Sequence, residues 1–236
     1  MIWLSPFASH PSFNLIKKEK DVFLRNDEGK IFEGLRVSFL DILSRKYQLR
    51  PIDPTNEKYR NYMEVVLKHF VNLGFKLFKL DYNHTVCLST NYKKDITRAQ
   101  ALRSGVEFIR EQIGPDSHLL TAISPMSPLV GIVDSARTGK DILFPRITSI
   151  PLLNSIVNNK LMKRNVKNNK IRKFMNKKLW LNDPDCLLFR DNTGINEKLL
   201  HEHKKFIINN NLSLWIGESL SRRKELKKIM KFFQKV

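Results

Sequence analysis

The stretch FKLFKLDYN, Phe75 to Asn83, contains a predicted buried strand, Phe75 to Asp81, that ends in an acid. A helical pattern, Asn56 to Leu73, precedes it. A second helical pattern, Ile96 to Ile113, follows it and stops at Gly114-Pro115. Short apolar runs that alternate with longer amphipathic stretches are typical of a parallel sheet flanked by helices. We therefore predict the α/β class.

The same alternation extends toward both ends of the chain and gives about six parallel strands. The further strands are predicted at Ile2 to Phe7, Leu119 to Ile123, Leu129 to Asp134, Cys186 to Arg190 and Leu212 to Ile216. Further helices are predicted at Ile150 to Lys178, Glu197 to Asn209 and Arg222 to Gln234. The segment from Ser9 to Leu49 interrupts this alternation with charges and a turn at Asn26 to Gly29. We expect it to form a long loop or a small excursion above the sheet.

A single domain, residues 1–236, is expected because 42% of the chain is hydrophobic, which is enough for one sizeable core. The two cysteines, Cys87 and Cys186, are far apart and lack a CxxC spacing, which argues against a disulfide framework and a cysteine-ligated zinc site. No run approaches the about 18 apolar residues that a transmembrane helix requires. The start, MIWLSPF, is too short for a signal peptide and lacks its basic residues. We therefore predict a cytoplasmic protein with no membrane partner.

The net charge of +19 raises the question of nucleic-acid binding. Basic residues concentrate in Lys160 to Lys178 and in Arg222 to Lys235. No nucleic-acid-binding motif accompanies them, and aromatic residues are not interleaved as stacking platforms. Both stretches also have the apolar spacing of helices, so the favoured interpretation is solvated outer helices and no specific nucleic-acid partner. Nucleic-acid binding stays open as the minor alternative.

Asp81 is the first candidate for chemistry because catalytic groups lie at the carboxyl ends of strands in folds of this class. Lys79 and Asp81 point to one face of their strand by alternation. A cation beside a carboxylate keeps that carboxylate ionised, as a nucleophile requires. A structural ion pair would give the same Lys-x-Asp pattern, so the spacing alone leaves both interpretations open.

Asp141 is the second candidate and lies in DSARTGKDI, Asp134 to Ile142. Arg137 precedes it by four residues, and Gly139 lets the backbone turn between them. A carboxylic acid opposite Asp81 across a barrel mouth would complete the pair of a retaining glycosidase, in which the carboxyl groups lie about 5 Å apart. Asp141 could equally cap the following helix.

Five stretches together resemble the catalytic barrel of the family 36 glycoside hydrolases, the α-galactosidases, in that family's order. They are IWLSPF (2–7), GFKLFKLDYN (74–83), SGVEFIREQIG (104–114), VGIVDSARTGKDI (130–142) and LWLNDPDCLLFR (179–190). The resemblance covers nearly the whole chain and implies a TIM-type (β/α)8 barrel involved in carbohydrate metabolism.

The resemblance also implies an activity, the removal of terminal α-galactosyl residues from galactosides or oligosaccharides without a cofactor or metal. It implies that Asp81 is the nucleophile and that Asp141 is the acid/base. It further implies that Lys79 and Arg137 hold sugar hydroxyls or the nucleophile, and that Trp3 forms an apolar wall of the sugar pocket. An indole suits that last task because the apolar face of a sugar stacks on it, although plain core packing of Trp3 is the alternative.

Other polar residues are expected to be structural or without a role. Asp183 and Asp185, on either side of Pro184, are predicted to lie just before a strand, where they tie a loop at the bottom of the barrel or cap backbone amides. His201 and His203 have a spacing that faces different directions on a helix, so a metal is not expected there. His84 is expected to be a loop histidine without a role.

The chain also departs from the family. The first two barrel strands, one ending in an Asp-Asp-Gly-Trp motif, and the preceding β-sandwich have no counterpart, so we expect an N-terminally truncated, incomplete barrel with the family's third to eighth strands. Ala122-Ile123 stands where many members have Cys-Gly, and the loop Trp215 to Ser221 lacks the usual consecutive aspartates. Open sheet edges predict a complementing polypeptide or a homo-oligomer. The alternatives to hydrolysis are therefore an inactive fragment or pseudoenzyme and a galactosyl transferase.

Overall fold

The computed structural model describes residues 1–10, 19–32, 35–36, 48–143, 151–191, 193–218 and 222–234. The chain forms two compact units, Met1–Asp134 and Ser135–Val236, which are described separately below. The prediction of one domain stays a prediction.

The first unit is built on three parallel strands, β1 (Ile2–Leu4), β5 (Leu77–Leu80) and β6 (His118–Thr121), with β5 in the middle. Alternate residues of β5 are buried, and Phe78 and Leu80 are inaccessible to solvent. Parallel strands need crossover connections, and the helices provide them. The predicted parallel α/β arrangement is therefore confirmed in this unit.

Two helices of the first unit match the predicted helices closely. Helix α1 (Glu57–Asn72) begins after Asn56, whose side chain accepts a hydrogen bond from the Tyr59 amide. Helix α2 (Arg98–Ile113) begins with a capping box between Thr97 and Gln100 and ends at Gly114, as predicted. These capping interactions involve residues that are close in sequence to each helix end, and the predicted bounds differ from the observed ones by at most two residues.

An antiparallel sheet occupies part of the segment that the sequence left as a loop or small excursion. Strands β2 (Ala8–Ser9), β3 (Leu35–Arg36) and β4 (Gln48–Pro51) pair in the order β2-β4-β3. The predicted turn forms, because the Gly29 amide donates to the Asn26 carbonyl at 2.9 Å. The remainder of the segment, 11–18, 33–34 and 37–47, lies outside the described residues.

The strand predicted at Leu129 to Asp134 is wrong. A short 3-10 helix, Ser127–Leu129, and a turn occupy this region, and the strand β7 (Ser135–Arg137) begins only after Asp134. Gly131 has a φ of 81°, which breaks an extended backbone. Leu129, Ile132 and Val133 are nevertheless buried, whereas Val130 is exposed.

The second unit contains the parallel pair β7 and β8 (Leu181–Asp183), in which Arg137 is in register with Asp183. Its helices are α3 (Pro151–Ile171), α4 (Glu197–Asn209) and α5 (Arg223–Phe233). These correspond to the three helices predicted for this part, although Ile150 lies outside the described residues and α3 ends before a 3-10 helix, Lys173–Met175. Two apolar clusters form the core, one around Met162 and Leu188 and one around Leu187 and Ile207.

The two remaining predicted strands, Cys186 to Arg190 and Leu212 to Ile216, meet at a single parallel bridge between Leu187 and Ile216. The Leu187 amide donates to the Trp215 carbonyl at 2.6 Å, and the Gly217 amide donates to the Leu187 carbonyl at 3.2 Å. Within the described ranges the chain therefore has five parallel strands and this one further parallel contact.

Helix α3 differs from the predicted solvated basic helix on its inner side. Its buried positions include three asparagines, Asn158, Asn165 and Asn169, beside Met162 and Val166. Its lysines lie on the exposed side. No helix within the described ranges is long and apolar enough to cross a membrane.

Candidate active site

Asp81 directly follows β5, at the carboxyl end of the three-stranded sheet. Its amide donates to the Leu4 carbonyl at 2.8 Å, which extends the pairing of β1 with β5 by one residue. Its carboxylate is 8% exposed and accepts from the Trp3 indole Nε1 at 3.1 Å and from the Tyr82 amide at 2.8 Å. Both carboxylate oxygens are thereby oriented by donors from different parts of the chain.

Trp3 is not a core residue. Its side chain is 59% exposed, although its Nε1 is held by Asp81, so the core-packing interpretation is wrong. An exposed indole fixed beside a carboxylate offers an apolar surface for a ligand.

Lys79 is the register partner of Trp3 in the β1-β5 pair. Among the residues that the structure describes, its ammonium makes no ion pair, so the structural ion pair with Asp81 is not formed. A half-buried lysine without a carboxylate partner is suited to bind polar groups of a ligand.

Side chains that the sequence analysis did not single out fix the turn after β5. Tyr82 adopts the left-handed region with φ 55°. Asn83 is fully buried and donates from Nδ2 to the Leu80 carbonyl at 3.3 Å and to Thr121 Oγ1 at 2.7 Å. The sequence contained a signal for this turn, because Asn83 follows the strand-ending Asp81 by two residues and asparagine is common in turns. The turn holds the backbone from which the Asp81 side chain projects.

Ile123 is a strained residue at the end of β6, where its carbonyl is 3.1 Å from the His84 Nδ1 atom. Its φ is 45°, a conformation that β-branched side chains strongly disfavour. Glycine, which many members of the resembled family carry at this point, adopts it without a Cβ clash.

Replacing Ile123 with glycine is therefore expected to raise the free energy of unfolding by about 1 kcal/mol, because the strain is relieved. The side chain is 43% exposed, so little buried area is lost. Urea denaturation measures the change. The Ile123→Ala variant is the control because it retains the Cβ. A glycine variant no more stable than the alanine variant would contradict the strain.

In the second unit, Arg137 binds three carboxylates. It ends β7, is 7% exposed, and donates from Nε to Asp183 at 2.9 Å. Its Nη1 donates to Asp141 at 3.0 Å, and its Nη2 lies 3.2 Å from Asp185. Burial by itself lowers the pKa of Arg137, but Asp183, followed by Asp185, outweighs burial and raises that pKa above its ordinary value.

The members of this cluster differ in exposure. Asp183 is 1% exposed, whereas the side chain of Asp141 is 47% exposed. Asp141 therefore presents its carboxylate to solvent while Arg137 fixes its position. Helix α3 begins at Pro151, so Asp141 does not cap that helix.

The predicted position of Asp183 and Asp185 before a strand is wrong. Asp183 is the last residue of β8, at the same end as Arg137. Its Oδ1 accepts from the Asp185 amide at 2.8 Å, and Asp185 Oδ2 accepts from the Ile142 amide at 2.9 Å. The sequence did contain a signal, because an apolar run ending in an acid also marks Asp81.

Buried asparagines of α3 support the loop between Arg137 and Asp141. Asn165 Nδ2 donates to the Lys140 carbonyl at 2.6 Å and to the Pro184 carbonyl at 2.9 Å. A Cβ on Gly139 would lie 2.4 Å from that Nδ2 atom, so only glycine allows this close approach. The loop carrying Asp141 is thus held by side-chain hydrogen bonds from a helix.

The two histidines of α4 lie in different surroundings, as their spacing predicted. His203 is 1% exposed, and burial lowers its pKa, whereas His201 is exposed. In the part of the chain that the structure describes, no group of three or more potential ligands could hold a metal ion.

Glu218 lies in the loop Trp215 to Ser221, which lacks the consecutive aspartates usual in the resembled family. Its carboxylate is 2% exposed and accepts from the amides of Phe189, at 2.8 Å, and Arg190, at 3.0 Å. The Arg190 Nε atom also donates to it at 2.9 Å. Glu218 therefore joins its loop to residues 189 and 190. Residues 219–221 lie outside the described residues.

The five candidate residues fall into two groups. Trp3, Lys79 and Asp81 meet in the first unit, and Arg137 and Asp141 meet in the second. The pairing of Asp81 with Asp141 across a barrel mouth stays a prediction.

Comparison with solved structures shows a shared fold. The chain matches an α-galactosidase from Thermus thermophilus in complex with stachyose at a TM-score of 0.75 and 17% identity, over 98% of this chain and 48% of that chain. The galactosidase domain of an α-galactosidase-sucrose kinase gives 0.51 and 11%, over 99% of this chain and 29% of that chain. The isomalto-dextranase of Arthrobacter globiformis T6 complexed with panose gives 0.52 and 13%, over 98% and 41%.

The chain has the fold of these glycoside hydrolases. The predicted class, an α/β fold of the TIM-barrel type that is incomplete, is thereby confirmed. No protein-family model matches the chain. It spans about half of the length of the α-galactosidase that it matches.

Proposed function

We propose that this chain is a retaining glycoside hydrolase that removes terminal α-galactosyl residues from galactosides through a covalent glycosyl-aspartate intermediate. The observation that carries the proposal is Asp81, held at the end of β5 with both oxygens oriented beside an exposed indole. Asp81 directly follows the carboxyl end of β5, and catalytic groups lie at the carboxyl ends of the strands in folds of this type, which supports the proposal.

Asp81 acts as the nucleophile. One of its oxygens attacks the anomeric carbon, the bond to the glycosidic oxygen breaks, and Asp141 donates its proton to that oxygen. Asp141 then takes a proton from water, whose oxygen attacks the same carbon and releases Asp81. The 47% exposure of the Asp141 side chain suits a group that exchanges protons with water and substrate.

The other candidate residues support these two steps. Trp3 stacks against the apolar face of the sugar, and Lys79 donates to a sugar hydroxyl. Arg137 already binds three carboxylates and is almost buried, so we assign it mainly to orienting Asp141. No metal or organic cofactor takes part in this scheme.

The proposal includes an expected partner and an expected compartment. A complementing polypeptide or a second copy of the chain would cover open sheet edges. The cytoplasm remains the expected location, and both cysteines are free thiols.

The test is hydrolysis by the purified chain of p-nitrophenyl α-galactoside and of stachyose, with Asp141→Asn as the variant. A general acid contributes about 10²- to 10⁴-fold when the leaving group is poor. We therefore expect Asp141→Asn to slow stachyose cleavage far more than release of p-nitrophenol, which leaves readily without a proton.

The control for this test is Asp116→Asn, which changes an exposed carboxylate outside both clusters. Equal losses on both substrates would remove Asp141 from the acid/base role. If the chain bound galactose but cleaved neither substrate, the proposal of hydrolysis would be abandoned for that of an inactive fragment or pseudoenzyme. Accumulation of galactosyl-oligosaccharides instead of galactose would favour the transferase alternative.

A further inference from the structure

The positive charge of the chain is concentrated in its second unit. Of the 42 lysines and arginines, 23 lie in Ser135–Val236, against only 8 of the 23 aspartates and glutamates, so this unit carries +15 of the net +19. Helix α3 contains no acidic residue. Anionic ligands are therefore favoured near this unit.

A cavity of about 780 Å³ lies between α4 and α5, with its floor formed by residues 188–191. This volume falls within the range of about 300–1,000 Å³ that is usual for small-molecule sites. Arg137, Asp141, Asp183 and Asp185 do not line it, so it is separate from the Arg137 cluster.

Lys204 is the unusual residue of this cavity. Its ammonium lies 4.2 Å from the centre of the Phe189 ring and 5.9 Å from that of Phe232. Within the described ranges it forms no ion pair with a carboxylate. Burial, followed by the nearby Lys228, lowers the pKa of Lys204. Contacts with aromatic rings offset only part of the desolvation free energy of a half-buried cation. An anion bound beside the Lys204 ammonium would therefore be stabilised.

Some of the other charges that line the cavity are paired with one another. Asp191 binds both Lys224 and Lys228, and the hydrogen bonds from these lysines lower its pKa to about 2. Arg190 pairs with the buried Glu218. Lys205 and Lys231 also line the cavity and form no ion pair within the described residues, but both are exposed to water. Lys204 is therefore the half-buried cation of the cavity with which no described carboxylate pairs, whereas two lysines balance the charge of Asp191.

The floor and walls of the cavity are apolar. Leu188 and Phe189 are buried. The rings of Phe189 and Phe232 pack edge to face, with their centroids 5.4 Å apart. Leu200 and Ile208 line the cavity from α4. A free inorganic anion would leave the apolar surface of the cavity exposed to water. A neutral aromatic compound would cover that surface but would leave Lys204 without an anionic partner. Both features are satisfied together by a molecule that carries a charge at one end and a ring system at the other.

We infer that the cavity between α4 and α5 binds a small organic anion of the aryl phosphate or aryl carboxylate class. The charged group of this molecule contacts Lys204, and its apolar body packs against Phe189, Leu200 and Ile208. This site is independent of the proposed hydrolase chemistry. It also differs from a nucleic-acid surface, because it is a cavity for one aromatic unit rather than an extended track.

The test is isothermal titration calorimetry of the full chain with 1-naphthyl phosphate, 1-naphthol and inorganic phosphate. Naphthyl phosphate is expected to bind saturably at one site, and each of the two partial probes to bind at least about tenfold more weakly. Lys204→Gln is expected to weaken naphthyl phosphate binding by about tenfold or more.

The matched control is Lys198→Gln, which removes a lysine from the same helix outside the cavity and is expected to leave binding unchanged. Circular dichroism establishes that both variants are folded. The site would be overturned if both variants lost affinity for naphthyl phosphate equally, or if naphthyl phosphate and inorganic phosphate bound equally well. Either result would mean that the general positive charge of the surface attracts the anion. An absence of saturable binding would overturn the site as well.

Discussion

Replacing Asp81 with asparagine is expected to reduce α-galactoside hydrolysis by about 10³-fold or more, because an amide oxygen is too weak a nucleophile to form the glycosyl-enzyme bond. Asparagine has the same shape and retains an oxygen that accepts a hydrogen bond, so the turn at Tyr82 is expected to persist. The measurement is kcat for p-nitrophenyl α-galactoside, with circular dichroism to show that the variant is folded.

A nucleophile can be distinguished from a structural acid by chemical rescue. In Asp81→Ala, azide should enter the vacated space, attack the anomeric carbon and expel p-nitrophenolate, which leaves β-galactosyl azide as the product. Asp116→Asn, on the exposed surface, should retain full activity. A folded Asp81→Asn variant with undiminished turnover would end the assignment of Asp81.

The second large effect is on stability and concerns Asp183. Replacing it with asparagine is expected to lower the free energy of unfolding by about 2 kcal/mol, because the buried Arg137 loses its closest charged hydrogen-bond partner while Asp141 and Asp185 remain. Asp183 is 1% exposed and accepts from Arg137 at 2.9 Å, so water cannot take over this role. Urea denaturation measures the change.

Asp141→Asn is the matched comparison, since it removes a second carboxylate from the same arginine. Its side chain is 47% exposed, so the expected loss of stability is about 1 kcal/mol or less. The two variants should therefore separate: Asp183→Asn unfolds readily, whereas Asp141→Asn is stable and deficient in catalysis. A stable Asp183→Asn variant would mean that Arg137 is not held in the way described here.

Much of the fold could be predicted from local signals. The predicted bounds of helices α1, α2 and α4 agree with the structure within one or two residues, because apolar spacing defines each helix and Gly114 ends α2. In the structure Asn56, Thr97 and Asn196 cap the starts of these helices. Strand β5 was predicted for the same reason, since its alternating residues are half-buried and buried. Asp81 was found because it ends that strand.

Other elements were missed because the same apolar composition can pack in more than one backbone conformation. Leu129, Ile132 and Val133 are buried as the prediction required, but Gly131 turns the chain and delays β7 to Ser135. In LWLNDPD the strand β8 ends at the first acid, Asp183, and the apolar residues after Asp185 form only one bridge. This shift changed the assignment of Asp183 from a distant structural residue to a partner of Arg137.

By itself the sequence determined the α/β class, the bounds of α1, α2 and α4, and the position of Asp81 after a strand, since each of these depends on neighbours a few residues away. The tertiary structure decided which side chains meet. Trp3 reaches Asp81 across 78 residues, and Arg137 reaches Asp183 across 46, through pairing of β1 with β5 and of β7 with β8. Strand register brings such residues together, and register depends on the packing of the whole sheet rather than on any local pattern.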